Sequence, residues 1–293
     1  MTANPRYRQV GIAGAGRVAR ALALALAPRS AAPVLLWGRS PGHVRDAAAE
    51  TGGAAAASCA ALAAACDLII VAVADDAVGP VAAELARALP PGADPFVCHV
   101  SGRSGAALLA PLGDAGAVVA AVHPAMTFTG DPAQEVARMA GARFAISAPD
   151  GEALAEARAL VGFLGGVAVE IAEAQRPLYH AALCHAANHL VTLMAGASHA
   201  LRAAGVDEPG ALLAPLVRAA LENSLARGFG ALSGPLLRGD DATIGGHLAA
   251  LAAYAPDLLP AYRAMARATL DELARSGGAP ADALRECLET PPR

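Results

Sequence analysis

The sequence predicts an α/β protein: a doubly wound, mostly parallel sheet in its first half, followed by an all-helical second half. Two observations carry that expectation. From Gln9 to about Ile171, short apolar or β-branched runs alternate with Ala/Leu-rich amphipathic stretches, the pattern of repeated strand–helix–strand units. Beyond Ile171 no convincing strand pattern appears through to Leu288. A boundary is therefore expected near residue 172, with domains 1–172 and 173–293.

The strand runs are Val10 to Ala13, Val34 to Trp37, Leu68 to Val73, Phe96 to Val100, Val118 to Val122, Phe144 to Ser147 and Val167 to Ile171. Several are apolar throughout, as strands covered on both faces must be. In the second half, Pro177 suits the first turn of a helix that runs to about Ala204 and stops at Gly205. Asp207, with Pro209 behind it, suits the start of a helix to about Arg227. The stretch Gly228 to Asp241 is a Gly-rich loop, and Pro256 opens a further helix.

A chain of 293 residues with 55% hydrophobic content can bury a substantial core without staples. Its five cysteines, at 59, 66, 98, 184 and 287, form no C-x-x-C pair and no metal-ligand spacing, which reads as reduced thiols in a cytoplasmic protein. A net charge of −4 without a basic block argues against nucleic acid and anionic membrane as partners. The apolar stretch Ala19 to Ala27 is too short for a secretion signal, and a helix explains it better. No apolar run reaches the roughly 20 residues of a membrane span, so a soluble protein is expected. All 22 basic residues are Arg, and mechanisms that require a lysine ammonium are excluded.

Directly after the first strand comes Gly14-Ala15-Gly16-Arg17-Val18-Ala19, a G-x-G-x-x-A. Gly14 permits a tight turn, Gly16 leaves room for a pyrophosphate against the backbone, and Ala19 lets the helix pack closely on the strand. The amides at the helix start, around Arg17 and Val18, then face the phosphates. At the end of the second strand an NAD site would place Asp or Glu, but the chain reads Trp37-Gly38-Arg39-Ser40. Arg39 can pair with a 2′-phosphate and Ser40 can donate to it, so NADP(H) is the expected cofactor. Ala74 and Asp75 end the next strand, where the nicotinamide-side ribose should pass. Asp75 and Asp76 read more readily as helix caps.

Two further strand ends at the same rim are polar: His99-Val100-Ser101-Gly102 and His123-Pro124-Ala125-Met126-Thr127-Phe128. Hydride transfer needs a group that handles the matching proton, and histidine titrates near neutrality. His123 is expected in that role, with Ser101 orienting the substrate or the ring and Gly102 beside the cofactor. His99 shares a face with Ser101 and reads as structural. In the helical half, His180, Cys184 and Asn188 follow i, i+4, i+8 spacing, so His180 and Asn188 are candidates to meet the substrate. His185, His189 and His199 are nearby, but no carboxylate or cysteine completes a ligand set, and no metal is expected.

The fingerprint, the HVSG and HPAMTF strand ends, LYHAALCHAANHLVTL at 178–193 and LSGPLLRGDDATIGGHL at 232–248 together resemble a family of bacterial Rossmann-like proteins with a C-terminal domain of unknown function. That family is similar to the phosphogluconate dehydrogenase superfamily, which includes ketopantoate reductase, pyrroline carboxylate reductase, β-hydroxyacid dehydrogenases and prephenate dehydrogenase. The resemblance implies a helical second domain that makes a homodimer. It also implies oxidoreductase chemistry on a small carboxylate substrate. In hydroxyacid dehydrogenases a helix Lys precedes an Asn by four residues; Asn188 matches, but Cys184 stands at the Lys position. Arg176 stands where closer relatives have Lys, and it could bind a carboxylate but not shuttle protons. The catalytic His-Pro of prephenate dehydrogenases matches His123-Pro124. In the G-P-x-x-R-G-D loop, Arg238 could anchor the substrate carboxylate and Asp240 could cap the next helix. The leading expectation is an NADPH-dependent reductase of a ketopantoate-like oxo acid. An imine or pyrroline carboxylate type of reductase and a non-catalytic NADP-binding sensor are the alternatives.

Overall fold

The computed structural model describes residues 5–279 and 281–289; the outermost residues of both expected domains lie outside that range. The chain divides into two compact units, 1–184 and 185–293.

The first unit is built on eight strands: β1 (Val10–Ala13), β2 (Leu35–Trp37), β3 (Ala54–Ala55), β4 (Leu68–Val71), β5 (Phe96–His99), β6 (Val118–Pro124), β7 (Arg143–Ser147) and β8 (Val167–Glu170). Their order in the sheet is β3-β2-β1-β4-β5-β6-β7-β8, parallel except for the antiparallel β6–β7 pair. Between the strands lie α1 (Arg17–Leu26), α2 (Pro41–Thr51), α3 (Cys59–Ala65), α4 (Val78–Ala88), α5 (Ala110–Asp114), α6 (Pro132–Met139) and α7 (Gly151–Phe163).

Side-chain alternation explains why the strands are apolar throughout. Val10, Ile12, Leu68 and Ile70 point to one face and pack with Leu22, Val44, Met139 and Leu160. Ala13, Ile69 and Val71 point to the other and pack with Leu62, Leu85 and Leu112. Each strand thus feeds two helical layers. All seven expected strands are present within a few residues of their expected ends. The eighth, β3, went unforeseen because two alanines carry no strand signal.

Cys59, Cys66 and Cys98 are free and buried, and burial pushes each of their thiols up to about 12.

Helix α8 (Arg176–Ala203) begins in the first unit and ends in the second. The second unit also holds α9 (Pro209–Arg227), α10 (Pro235–Arg238), α11 (Asp241–Tyr254), α12 (Leu259–Arg275) and α13 (Asp282–Glu289). Its core is small: Ile244, Leu248, Ala266, Leu270, Leu284 and Leu288, all from α11 to α13. Asp240 caps α11 as expected, accepting from the Thr243 amide at 3.0 Å. Asp207 does not cap α9. With Pro209 at the first helical position, the cap falls on Glu208, whose side chain makes no capping bond. Among the described residues no helix is long and apolar enough to cross a membrane, and no group of three or more His, Cys, Asp or Glu could hold a metal ion.

Candidate functional site

Strand order reverses between β1 and β4, and in such sheets the crevice outside the carboxyl ends at the reversal is the ligand site. A cleft of about 920 Å³ opens there, lined among others by Gly14, Gly16, Arg17, Val18, Arg39 and Ser40. Gly14 has φ 142°, and a Cβ on it would lie 2.1 Å from the Ala72 carbonyl oxygen, so the turn admits only glycine. Gly16 differs. It caps α1 without any side-chain bond, and a Cβ there would meet nothing within 4 Å. The first amides of α1 therefore face open cleft, which is what a pyrophosphate group requires.

At the end of β2, Ser40 caps α2 by position, but its hydroxyl makes no capping bond. Among the described residues Arg39 has no ion-pair partner. Both side chains are available to a ligand. His43, on the first turn of α2, joins the lining and was not anticipated, because a single histidine in a helix start carries no motif.

Ala74 and Asp76 line the cleft. Asp75, expected there, is instead paired with Arg103 at 3.0 Å. Neither aspartate caps a helix. Both sit inside a 3-10 turn, Asp75–Ala77, whose cap is Ala74, and α4 is capped by Ala77 without a side-chain bond.

The ends of β5 and β6 form a second polar cluster. His99 is fully buried. The Ser101 amide donates to its Nδ1 at 3.1 Å, so the proton sits on Nε2 and is donated to the Gly105 carbonyl at 2.8 Å. This ring is a neutral structural group, and burial holds its pKa down. Ser101 is buried too, and its hydroxyl has no hydrogen-bond partner.

His123 Nδ1 lies 2.9 Å from the Tyr179 hydroxyl, with the rings edge to face. The His180 ring stands edge to face with His123 as well, its centroid 6.1 Å away. Gly102 is where backbone meets this group: a Cβ on it would lie 2.5 Å from His180 Cδ2 and 2.9 Å from His123 Nε2. Burial, then the charges of Arg176 and His180, push the His123 pKa down to about 4. Burial raises that of Tyr179. Both partners are therefore neutral near pH 7, with one hydrogen shared along Oη···Nδ1. If it sits on Oη, His123 Nε2 is a donor; if on Nδ1, Nε2 is an acceptor.

Arg176 is fully buried. Its Nε donates to Ser147 Oγ at 2.8 Å, and one terminal nitrogen donates to the Ala121 and Ala145 carbonyls, both at 3.1 Å. A fully buried guanidinium bonded to Ser147 and to the backbone of β6 and β7 does not present itself to a carboxylate ligand, which corrects the expectation for this residue. Glu173 was missed by sequence reasoning. Its carboxylate accepts from the Ala106 and Ala107 amides at 3.0 and 3.1 Å and fastens the segment after Gly105. Cys184 Sγ lies 3.7 Å from His180 Nε2. Asn188 and Arg238 belong to the second unit, both exposed, on α8 and at the end of α10.

Sheet order and cleft together define the first unit as a Rossmann-like fold. The chain's residues 2–124 match a Rossmann-like domain and residues 142–269 match DUF2520, a domain of unknown function. The chain therefore carries a Rossmann-like domain followed by a DUF2520 domain. No curated protein matches it. Among solved structures it is similar to protein BF3122 of Bacteroides fragilis, described as a candidate NADP oxidoreductase, at 21% identity over 90% of this chain and 98% of that one, TM-score 0.74. It is similar to a reductive aminase from Aspergillus terreus in complex with NADPH and ethyl levulinate, at 20% identity over 95% and 97%, TM-score 0.66. An imine reductase from the same organism, in complex with NADPH4 and dibenz[c,e]azepine, shares 17% identity over 96% and 98%, TM-score 0.61.

Proposed function

We propose that the protein is an NADPH-dependent reductase of a small C=N or C=O compound. The observation that carries this reading is the uncapped start of α1, facing an open cleft whose far end offers Arg39 and Ser40 in place of a carboxylate. Gly14, Gly16 and the amides of Arg17 and Val18 would hold the pyrophosphate, and Arg39 and Ser40 the 2′-phosphate. When bound, the cofactor supplies a hydride. This chain's own part is to bind the acceptor and manage its proton, a role we assign to His123 with its hydrogen-bonded partner Tyr179.

The state of that pair favours an imine over the oxo acid. A carbonyl must gain a proton as it gains hydride, whereas an iminium brings its own. A neutral His123 is a poor acid near pH 7, but its Nε2 can accept an N–H from an iminium when the shared hydrogen sits on Nδ1. The buried Arg176 removes one of the two arginines that favoured a carboxylate substrate. The named activities of the two Aspergillus enzymes are in keeping with a C=N substrate.

The test is a fluorescence titration with NADPH and NADH, followed by spectrophotometric assay of cyclic imines, carbonyl–amine pairs and oxo acids including ketopantoate. Turnover of imines supports the reading; turnover of oxo acids alone restores the carbonyl substrate. Tight NADPH binding without turnover on any of them leaves a sensor, and no NADPH binding ends the proposal.

The same reading includes a homodimer through the helical unit. Past Pro209 no residue of α9 is buried, and Val191, Leu216 and Leu225 are 71%, 63% and 79% exposed. Apolar surface of this extent on long helices is characteristic of an association face.

A further inference from the structure

Among the described residues, Arg176 is the largest fully buried side chain. Three of its hydrogen bonds go to neutral acceptors, and its remaining terminal nitrogen, Nη1, has none. Among the described residues it has no ion-pair partner. The carboxylate of Glu173 acts on it only from beyond ion-pair distance. A charge taken out of water without a contacting counter-ion is costly, and an apolar side chain of similar volume would fill the space as well. Packing therefore does not account for the charge.

Its position does. Ala121 precedes His123 by two residues on β6, and Ala145 is the residue paired with His123 across the antiparallel β6–β7 ladder. The guanidinium thus bonds the strand rungs that carry His123, while its carbon lies 5.9 Å from the centre of the Tyr179 ring. The other groups acting on His123 are His180 on α8, His99 on β5 and Asp75 after β4. Of these, Asp75 favours an imidazolium, and Arg103 pairs with it.

We propose that Arg176 is a positioning residue for the His123–Tyr179 pair: it ties together the β6 and β7 rungs that carry His123 and sets a fixed, buried positive charge beside the two rings. The proposal rests on the reading of that pair as the proton-handling group, but its test does not use turnover. The low titration already described for His123 has the charge of Arg176 as its second cause, after burial.

The experiment is an NMR titration of the His123 ring in the wild-type protein and in Arg176→Met, Arg176→Gln and Arg176→Lys. The wild-type ring is expected to titrate far below 6.5. In the Met and Gln variants the midpoint should rise by about one pH unit or more, a tenfold gain in proton affinity. Lys, which restores the charge, should bring it back down. Ser147→Ala, which removes a hydrogen bond and leaves the charge, should not move it. A wild-type midpoint near 6.5 overturns the proposal whatever the variants do. So does an unmoved midpoint in whichever neutral variant folds; Met tests packing without polarity and Gln retains a polar group. Failure to bind NADPH would count against the proposed function and leave this titration readable.

Discussion

The Tyr179 hydroxyl lies 2.9 Å from Nδ1 of His123, joining the end of β6 to the first turn of α8. The bond is between two neutral groups, so its contribution is modest, about 1 kcal/mol. Tyr179→Phe should therefore lower kcat by roughly fivefold while NADPH affinity stays unchanged. His123→Ala should lower it by about a hundredfold or more, in the range of general acid–base catalysis. Steady-state kinetics on the substrate found in the screen checks both, and full turnover in His123→Ala would remove the assignment.

His123 also makes stability depend on pH. Its pKa falls from 6.5 in the unfolded chain to about 4 in the fold, so above pH 6.5 the ring is neutral in both states and costs nothing. As pH falls from 6.5 towards 4, the unfolded chain takes up the proton and the fold does not, and stability is lost by at most roughly 3 kcal/mol. Buried His99 adds loss of the same sign. Urea unfolding between pH 7.5 and about 4.5 should show this decline, and His123→Asn should make it shallower. An identical slope in the variant would mean the ring is not held neutral.

The two glycines of the nucleotide turn should separate cleanly. Gly14→Ala forces a Cβ against the Ala72 carbonyl and is expected to cost several kcal/mol of stability. Gly16→Ala meets only open space in the protein, so its unfolding curve should match wild type while NADPH affinity drops about tenfold or more. Equal nucleotide binding in Gly16→Ala would mean that the cleft holds something other than a pyrophosphate.

Arg39→Ala should weaken NADPH binding by about 10- to 100-fold, the loss of a charge-assisted contact, and leave NADH binding nearly unchanged. Direct titration with both nucleotides gives the answer. Parallel losses would place Arg39 away from the 2′-phosphate.

Association should be visible by analytical ultracentrifugation. A dimer is expected, and Leu216→Glu with Leu225→Glu, both far from any buried position in α9, should yield a folded monomer. A wild-type monomer at micromolar concentration would leave these helices unexplained.

Most of the sheet was legible because parallel strands buried on both faces are continuous apolar runs, and the runs at Val10, Leu68 and Phe96 are hard to read otherwise. The nucleotide turn was legible because Gly14 is forced by local geometry. Arg176 was not. Its role depends on which carbonyls β6 and β7 bring within reach of one side chain, a convergence of positions more than twenty residues apart that no local pattern encodes. Tyr179 was visible as a helix residue, but its partner is 56 positions away. Asp75 was misread because a capping preference concerns the residue before a helix, and a short 3-10 turn placed both aspartates within one.

The three buried thiols have a practical consequence for anyone wishing to watch this protein work. With Cys59, Cys66 and Cys98 held protonated and out of reach, alkylating reagents are left with half-buried Cys184 and Cys287. One of these touches His180, beside the His123 ring, and the other lies near the end of the chain on α13. Replacing Cys287 with serine would leave a single addressable position, so a fluorophore or spin label could report on the histidine cluster without any further engineering of the cysteines.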